Sequence, residues 1–417
     1  MSRRESIGRR EFFKSSVAAS SVLLTGSKTA FSATANSVLN LGLLGCGGRG
    51  NNVAGVFVEH TNTRIAALAD LFGDRLEVTQ RRFEDLHRKK GRAGVEKTFQ
   101  GPNAFRELVN SDVDAVLITS PPYFHPQHLE AALDAGKHVY LEKPVATDVQ
   151  GCRKVAQLSA KAEGKVSVDV GFQIRSGPHF VALTERLHKG AIGEIACAQG
   201  FYFASDLPRK AKPGMSKLET RVRDWVFDRA LGGDILVEQN VHIVDVFNWV
   251  LKAHPLRASA TAGRKVRTSV GDVSDHFVVT YLYPNDVRVS FMSTQFLPKW
   301  GKVGMRFFGN RGYSEAFYSG GLRIYGENSW EAGADQVPVG TKPEIDPLKD
   351  ATPEKVKAFV QSISEGDFHN QLKLGAESSL SAILGRQSAY EGADISWGEL
   401  LSSDQHFDAA IDLKRLV

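Results

Sequence analysis

The hydrophobic pattern changes texture along the chain, and the changes divide it. From Leu39 to about Asp148, short apolar runs alternate with stretches of helical period. That pattern predicts strands over 39–44, 63–70, 97–99, 114–120 and 137–141. The helices between them fall over 51–60, 74–90, 103–110 and 125–135. Strands alternating with helices in this way form a parallel sheet. A helix over 149–163, a strand over 165–171 and a helix over 179–189 follow. After Gly193-Glu194 the apolar positions alternate, as in an antiparallel sheet, with strands over 195–204, 256–262, 276–282, 287–295, 305–309, 312–317 and 322–325. A basic, proline-containing loop at 205–231 and a helix over 232–251 interrupt them, and from Thr352 the chain is mostly helical. The expected fold class is α/β: a parallel-sheet domain over 38–160, then an α+β domain over 161–417 with a large open, mostly antiparallel sheet.

The first predicted strand runs into Gly45-Cys46-Gly47-Gly48-Arg49-Gly50, the G-x-G-x-x-G spacing. In this motif Gly45 makes the tight turn, Gly47 lets a pyrophosphate approach the backbone, and Gly50 lets helix and strand pack closely. The helix that follows offers unpaired N–H groups and a partial positive charge to phosphates. The second strand ends in Asp70, about 20 residues on, where a carboxylate holds a ribose 2′-hydroxyl. The expected cofactor is NAD or NADP, and Asp70 favours NAD because it repels a 2′-phosphate. This is the fingerprint of a Rossmann domain.

Composition changes the picture little. The chain has 417 residues, 42% hydrophobic and 24% charged, ordinary for a globular protein. Its net charge of +5 is concentrated at the start, where residues 1–35 hold six basic against two acidic side chains, leaving 46 against 45. A nearly neutral body gives no footing for nucleic acid. Arg9-Arg10-Glu11-Phe12-Phe13-Lys14, an apolar stretch and Ala33-Thr34-Ala35 read as a twin-arginine (Tat) export signal, cleaved after Ala35. The expected location is therefore the periplasm, reached through the Tat machinery, with no membrane span. Cys46, Cys152 and Cys197 make no disulfide framework.

Two stretches carry candidate chemistry. Glu142-Lys143-Pro144 sits at the end of the fifth predicted strand. Proline keeps Lys143 out of any helix, and its ammonium can hydrogen-bond a substrate hydroxyl beside a nicotinamide. In the helix over 232–251, Asp234 is a candidate N-cap, and Glu238, His242 and Asp245 share one face at i, i+4 and i+7. Three readings of that stripe stay open: a general acid/base His242 tuned by Glu238, a metal site, or a structural network between domains. Trp225, which can stack on a sugar ring or anchor its loop, and Gln173 and Arg175, after the strand over 165–171, complete the candidate substrate residues.

In this order, Gly45–Gly50, Thr119-Ser120-Pro121-Pro122-Tyr123-Phe124-His125, Glu142-Lys143-Pro144, Gly171-Phe172-Gln173 with Arg175, and Glu238 with His242 and Asp245 resemble the Gfo/Idh/MocA family, named for glucose–fructose oxidoreductase and inositol dehydrogenase. The resemblance implies a Rossmann domain followed by an open-sheet domain used for dimer or tetramer contacts. It implies oxidation or reduction of a hydroxyl of a sugar, polyol or pyranoside with NAD(P). Lys143 and His242 then take the catalytic positions, Glu238 standing where many relatives carry Asp. Ser120, His125, Glu142 and Lys143 would join Gly45, Gly47, Gly50 and Asp70 at the cofactor, with no resident metal. Exported relatives keep their cofactor bound, which implies a tightly held dinucleotide. The same residues also serve relatives that cleave glycosides by oxidation, elimination, addition and reduction. A non-catalytic sugar sensor on this scaffold is the third reading.

Overall fold

The structure is a computed structural model that describes residues 38–338 and 341–416, so the predicted signal over 1–35 lies outside the described residues. The described residues form one compact unit. Its first sheet has the order β3-β2-β1-β4-β5-β6, all parallel: β1 (Leu39–Leu44), β2 (Thr63–Asp70), β3 (Lys97–Gln100), β4 (Ala115–Ile118), β5 (His138–Leu141) and β6 (Val168–Val170). The helices are α1 (Gly48–His60), α2 (Gly73–Lys89), α3 (Ala104–Val109), α4 (His125–Asp134) and α5 (Val149–Ala162). β4 and β5 are buried throughout, which is why they read as unbroken apolar runs. Strand order reverses between β1 and β4, and the crevice outside their carboxyl ends is where such sheets bind ligands.

After α6 (Pro178–His188), β7 (Ile195–Ser205) enters a nine-stranded sheet of order β14-β13-β12-β11-β7-β10-β9-β8-β15. Between β7 and the next strand of that sheet lie α7 (Lys217–Arg223), α8 (Arg229–Gly232), α9 (Ile235–Glu238) and α10 (Val241–Leu251). The remaining strands are β8 (Arg257–Gly263), β9 (His276–Leu282), β10 (Arg288–Leu297), β11 (Val303–Gly309), β12 (Gly312–Phe317), β13 (Leu322–Gly326), β14 (Trp330–Glu331) and β15 (Ile395–Ser396). All its pairings are antiparallel except β7 with β10. α10 packs on the inner face, where Gly200 leaves room for Phe247, whose ring a β-carbon there would meet at 2.5 Å. The outer face leaves the paired residues Val278 and Met292 about half exposed. α11 (Ala351–Glu365), α12 (Leu372–Glu391) and α13 (Trp397–Ser402) end the chain, and α11 returns to the first sheet, where Phe359 packs on Phe57 and Tyr140.

Three features differ from the pattern-based expectation. β6 joins the parallel sheet although it follows residue 160, because only three residues pair and they are buried on both faces. The loop at 205–231 contains α7, capped by the Ser216 hydroxyl, which accepts the Glu219 N–H. The helix expected over 232–251 is two, α9 and α10, and α8 ends at Gly232 just before them. Gly233 (φ 88°) and Asp234 (φ 76°) take left-handed conformations that stop one helix and start the next, and Gln239 is drawn to Gln295 of β10 at the second break.

A buried cluster ties α11 to β6. The Asp169 carboxylate accepts Lys355 Nζ at 3.1 Å and His369 Nδ1 at 2.9 Å. Burial works to raise this carboxyl, but Lys355 and His369 outweigh it and hold it below the usual range. His369 is in turn raised, chiefly by its hydrogen bond to Asp169. Lys355→Met strands a buried carboxylate, so it is expected to lower unfolding free energy by about 3–5 kcal/mol in denaturant titration. Because the folded His369 value lies above the unfolded one, its contribution is complete below about pH 6.5 and fades as pH rises through the folded value. His369→Gln is expected to flatten that slope.

Candidate active site

The glycine turn meets the demands of its spacing. Gly45 sits at φ 98°, and a β-carbon there would lie 2.7 Å from the Ser120 nitrogen. One on Gly50 would lie 2.2 Å from the Gly45 carbonyl oxygen, so helix and strand touch backbone to backbone. One on Gly47 would meet only Arg75 Nη1, at 3.6 Å, which leaves that face approachable. α1 begins with a glycine N-cap and no side-chain cap, so its first N–H groups stay available to an anion. Asp70 closes the other side. Its two oxygens accept the Cys46 N–H at 2.7 Å and the Phe72 N–H at 2.9 Å, and burial raises its carboxyl against the pull of Arg75. Each oxygen keeps a lone pair for a ribose hydroxyl.

Lys143 emerges from the end of β5 through a cis peptide bond to Pro144. Its ammonium donates to the Glu238 carbonyl oxygen and, at 3.2 Å, to Glu238 Oε1. Glu238 is therefore the partner of Lys143 and not the expected support of His242; the break between α9 and α10 separates them. His242 is buried, and its Nδ1 has no hydrogen-bond partner among the described residues. Its ring stands edge-on to Phe172 at 6.2 Å. Burial first, then the charges of Lys143 and Arg49, hold its pKa well below the ordinary histidine value. Both amide atoms of Asn240 and Oε1 of Gln173 are likewise buried without partners among the described residues. Unsatisfied buried polar atoms are costly; Asn240 lies two residues before His242, and Gln173 follows Phe172, whose ring meets His242.

Other sequence candidates are engaged elsewhere. Arg175 forks onto Asp245, with Nε at 3.0 and 2.9 Å from the two oxygens, and lies over Trp249. Ser378 also donates to Asp245. The Glu238–His242–Asp245 stripe is thus split between two clusters, with both carboxylates committed to cations. Among the described residues no group of three or more His, Cys, Asp or Glu is arranged for a metal. His125 has both ring nitrogens 2.8 Å from carbonyl oxygens, of Ser120 and Pro144, so it pins the loop after β4 to the Lys143-Pro144 turn. Ser120 turns its hydroxyl to His128 Nδ1 at 2.9 Å. The Trp225 ring lies against Gly232. The residue that sequence reasoning passed over is Arg49, inside the glycine motif, which reaches Glu142 Oε1 through Nε and Nη2, both at 2.8 Å. Asn240 was passed over too, its only signal being its place between Glu238 and His242.

Two profiles of one family match this chain, together over more than half its length. One, described as an oxidoreductase family with an NAD-binding Rossmann fold, matches residues 39–170, and the GFO/IDH/MocA C-terminal domain matches 180–315. Among curated proteins, the inositol 2-dehydrogenase of Acidothermus cellulolyticus is 28% identical over 258 residues, covering 62% of this chain and 66% of that protein. The inositol 2-dehydrogenase of Rhizobium meliloti is 26% identical over 245 residues, covering 58% and 64%. Both matches span just under two-thirds of the relative's length. Among solved structures, a levoglucosan dehydrogenase in complex with NADH and levoglucosan superposes with a TM-score of 0.68 at 18% identity, covering 86% of this chain and 99% of that one. The myo-inositol 2-dehydrogenase of Lactobacillus plantarum gives 0.67, also at 18% identity with 86% and 99% coverage. At such identity these structures speak for the fold, and the profile matches settle the kinship: the chain belongs to the GFO/IDH/MocA oxidoreductase family.

Proposed function

We propose that the protein is an NAD-dependent oxidoreductase acting on a ring hydroxyl of a sugar, polyol or pyranoside. The observation that carries this reading is that Lys143, held by Glu238, and Arg49 of the glycine turn both act on a buried, neutral His242. The inositol and levoglucosan dehydrogenases among its relatives act on molecules of that class.

A bound dinucleotide would be held by the Gly45–Gly50 turn and the start of α1 at its pyrophosphate and by Asp70 at a ribose hydroxyl, and its nicotinamide would supply the hydride acceptor. Lys143, fixed by Glu238, donates a hydrogen bond to the substrate oxygen and stabilises negative charge as it develops there. His242, neutral because burial and two nearby cations disfavour its protonated form, accepts the hydroxyl proton. Gln173 and Asn240 orient neighbouring hydroxyls. Lys143→Ala is expected to reduce kcat/KM by about 10²–10⁴-fold in steady-state assays of polyol oxidation. The base must be unprotonated, and its pKa is lowered, so the acid limb of the wild-type profile should lie below pH 6.5. A limb centred at or above that value would remove His242 from the role.

The export signal and Asp70 together support an enzyme that leaves the cytoplasm with its cofactor aboard, since the Tat route carries folded proteins. Protein from the periplasmic fraction is expected to release about one NAD per chain on denaturation, identified by mass spectrometry. Arg9→Lys with Arg10→Lys should leave it in the cytoplasm. Recovery of NADP would overturn the reading of Asp70.

The outer face of the nine-stranded sheet supports self-association into a dimer or tetramer. Val278 and Met292 lie side by side there, and Tyr313 stacks on Tyr325 at 4.6 Å. Met292→Lys is expected to shift the sedimentation coefficient toward a single chain. An unchanged value would place the contact elsewhere.

A further inference from the structure

The segment that follows β7 reaches across to the cofactor half of the molecule. On α7, Arg223 is almost buried and makes a two-pronged contact with Asp74, Nη1 to Oδ2 and Nη2 to Oδ1, both 3.0 Å. Its guanidinium carbon lies 3.8 Å from the centre of the Phe72 ring, and its Nε holds Glu219 at 2.8 Å. Phe72 and Asp74 follow Asp70 by two and four residues, at the carboxyl end of β2. On its other flank, α8 packs against the short turn Pro122–Phe124, which follows β4. Arg221 of α7 donates to the Ala409 carbonyl oxygen at 2.6 Å, and the Ala409 N–H reaches Tyr123 Oη at 3.4 Å. The segment is braced internally by buried Asp224, which accepts the Lys210 N–H at 2.5 Å.

Residues 217–232 therefore bridge the loops after β2 and β4, the two loops that border the adenosine half of a dinucleotide in this strand order. We propose that this segment is a clasp over the adenosine half, and that Arg223 sets how fast the dinucleotide leaves. The proposal rests on the cofactor reading above. A forked, charge-assisted contact stacked on an aromatic ring gives a defined geometry, and it joins residues 149 positions apart. Asp74 itself is largely exposed, so water competes for the fork and the latch can open. A contact of this kind acts mainly on dissociation, because it must break before the ligand escapes.

The test uses the full chain saturated with NADH. It is mixed with a large excess of NAD, and loss of bound-nicotinamide fluorescence gives the release rate. Arg223→Ala and Asp74→Asn are each expected to speed release by at least about tenfold, with the melting temperature of the nucleotide-free protein unchanged. The exchanged pair, Arg223→Asp with Asp74→Arg, should recover much of the slow rate. Where Arg223→Ala does not fold, Asp74→Asn reads the same contact from its exposed side. Wild-type rates in Asp74→Asn, or a melting temperature that falls in step with the release rate, would overturn the clasp while leaving the cofactor site intact. A wild-type chain that binds no NADH would instead overturn the cofactor reading and the clasp with it.

Discussion

Glu142 is a carboxylate with almost no contact with solvent, and three parts of the fold converge on it. Arg49 reaches it from the first turn of α1. Gly171, just past β6, lies so close that a β-carbon there would be 2.8 Å from the carboxyl carbon. Lys143 follows it directly and donates its own N–H to Oε2 at 3.3 Å. A buried charge of this kind is tolerated only when its partner is held in place, so the glycine turn, the end of β5 and the entry to the second sheet have a fixed relation. The ammonium of Lys143 inherits that relation. The glycine turn and the Lys143 ammonium are thereby referenced to one carboxylate, although Arg49 and Lys143 lie nearly a hundred positions apart.

The second organising fact is the division of labour along α9 and α10. Glu238 belongs to Lys143, His242 stays without a charged partner, and Asp245 is spent on Arg175 and Ser378. Had the helix run straight from 232 to 251, the three side chains would have formed one stripe and Glu238 would have faced His242. The break after Glu238 separates a cation-holding acid from a neutral imidazole, so one short stretch of sequence holds the Lys143 ammonium and keeps His242 uncharged.

Much of this was legible beforehand because it is local. Strand, glycine turn, helix and terminal acid follow one another over 39–70, and apolar alternation marks most strands of the second sheet. What escaped was the choice of partner. Nothing in the chain says that Glu238 reaches Lys143, that Arg175 turns to Asp245, or that His125 sits between two carbonyls, since each choice depends on contacts made by distant backbone. The break in the helix escaped for a related reason. Asp234 adopts φ 76°, unusual for a residue with a β-carbon, and is held there by Tyr390 Oη at 2.6 Å, Ser274 N–H at 3.2 Å and its own Ile235 N–H. Sequence offered it as an N-cap, which it is, but not as a corner.

The nine-stranded sheet ends on both sides in two-residue strands, Trp330–Glu331 and Ile395–Ser396. A sheet this wide would normally invite further strands to add at its margins, because unpaired N–H and carbonyl groups there template growth. Stubs this short leave little backbone to copy. The margins of the sheet therefore resist fibre-like extension by added strands, whatever its broad face meets.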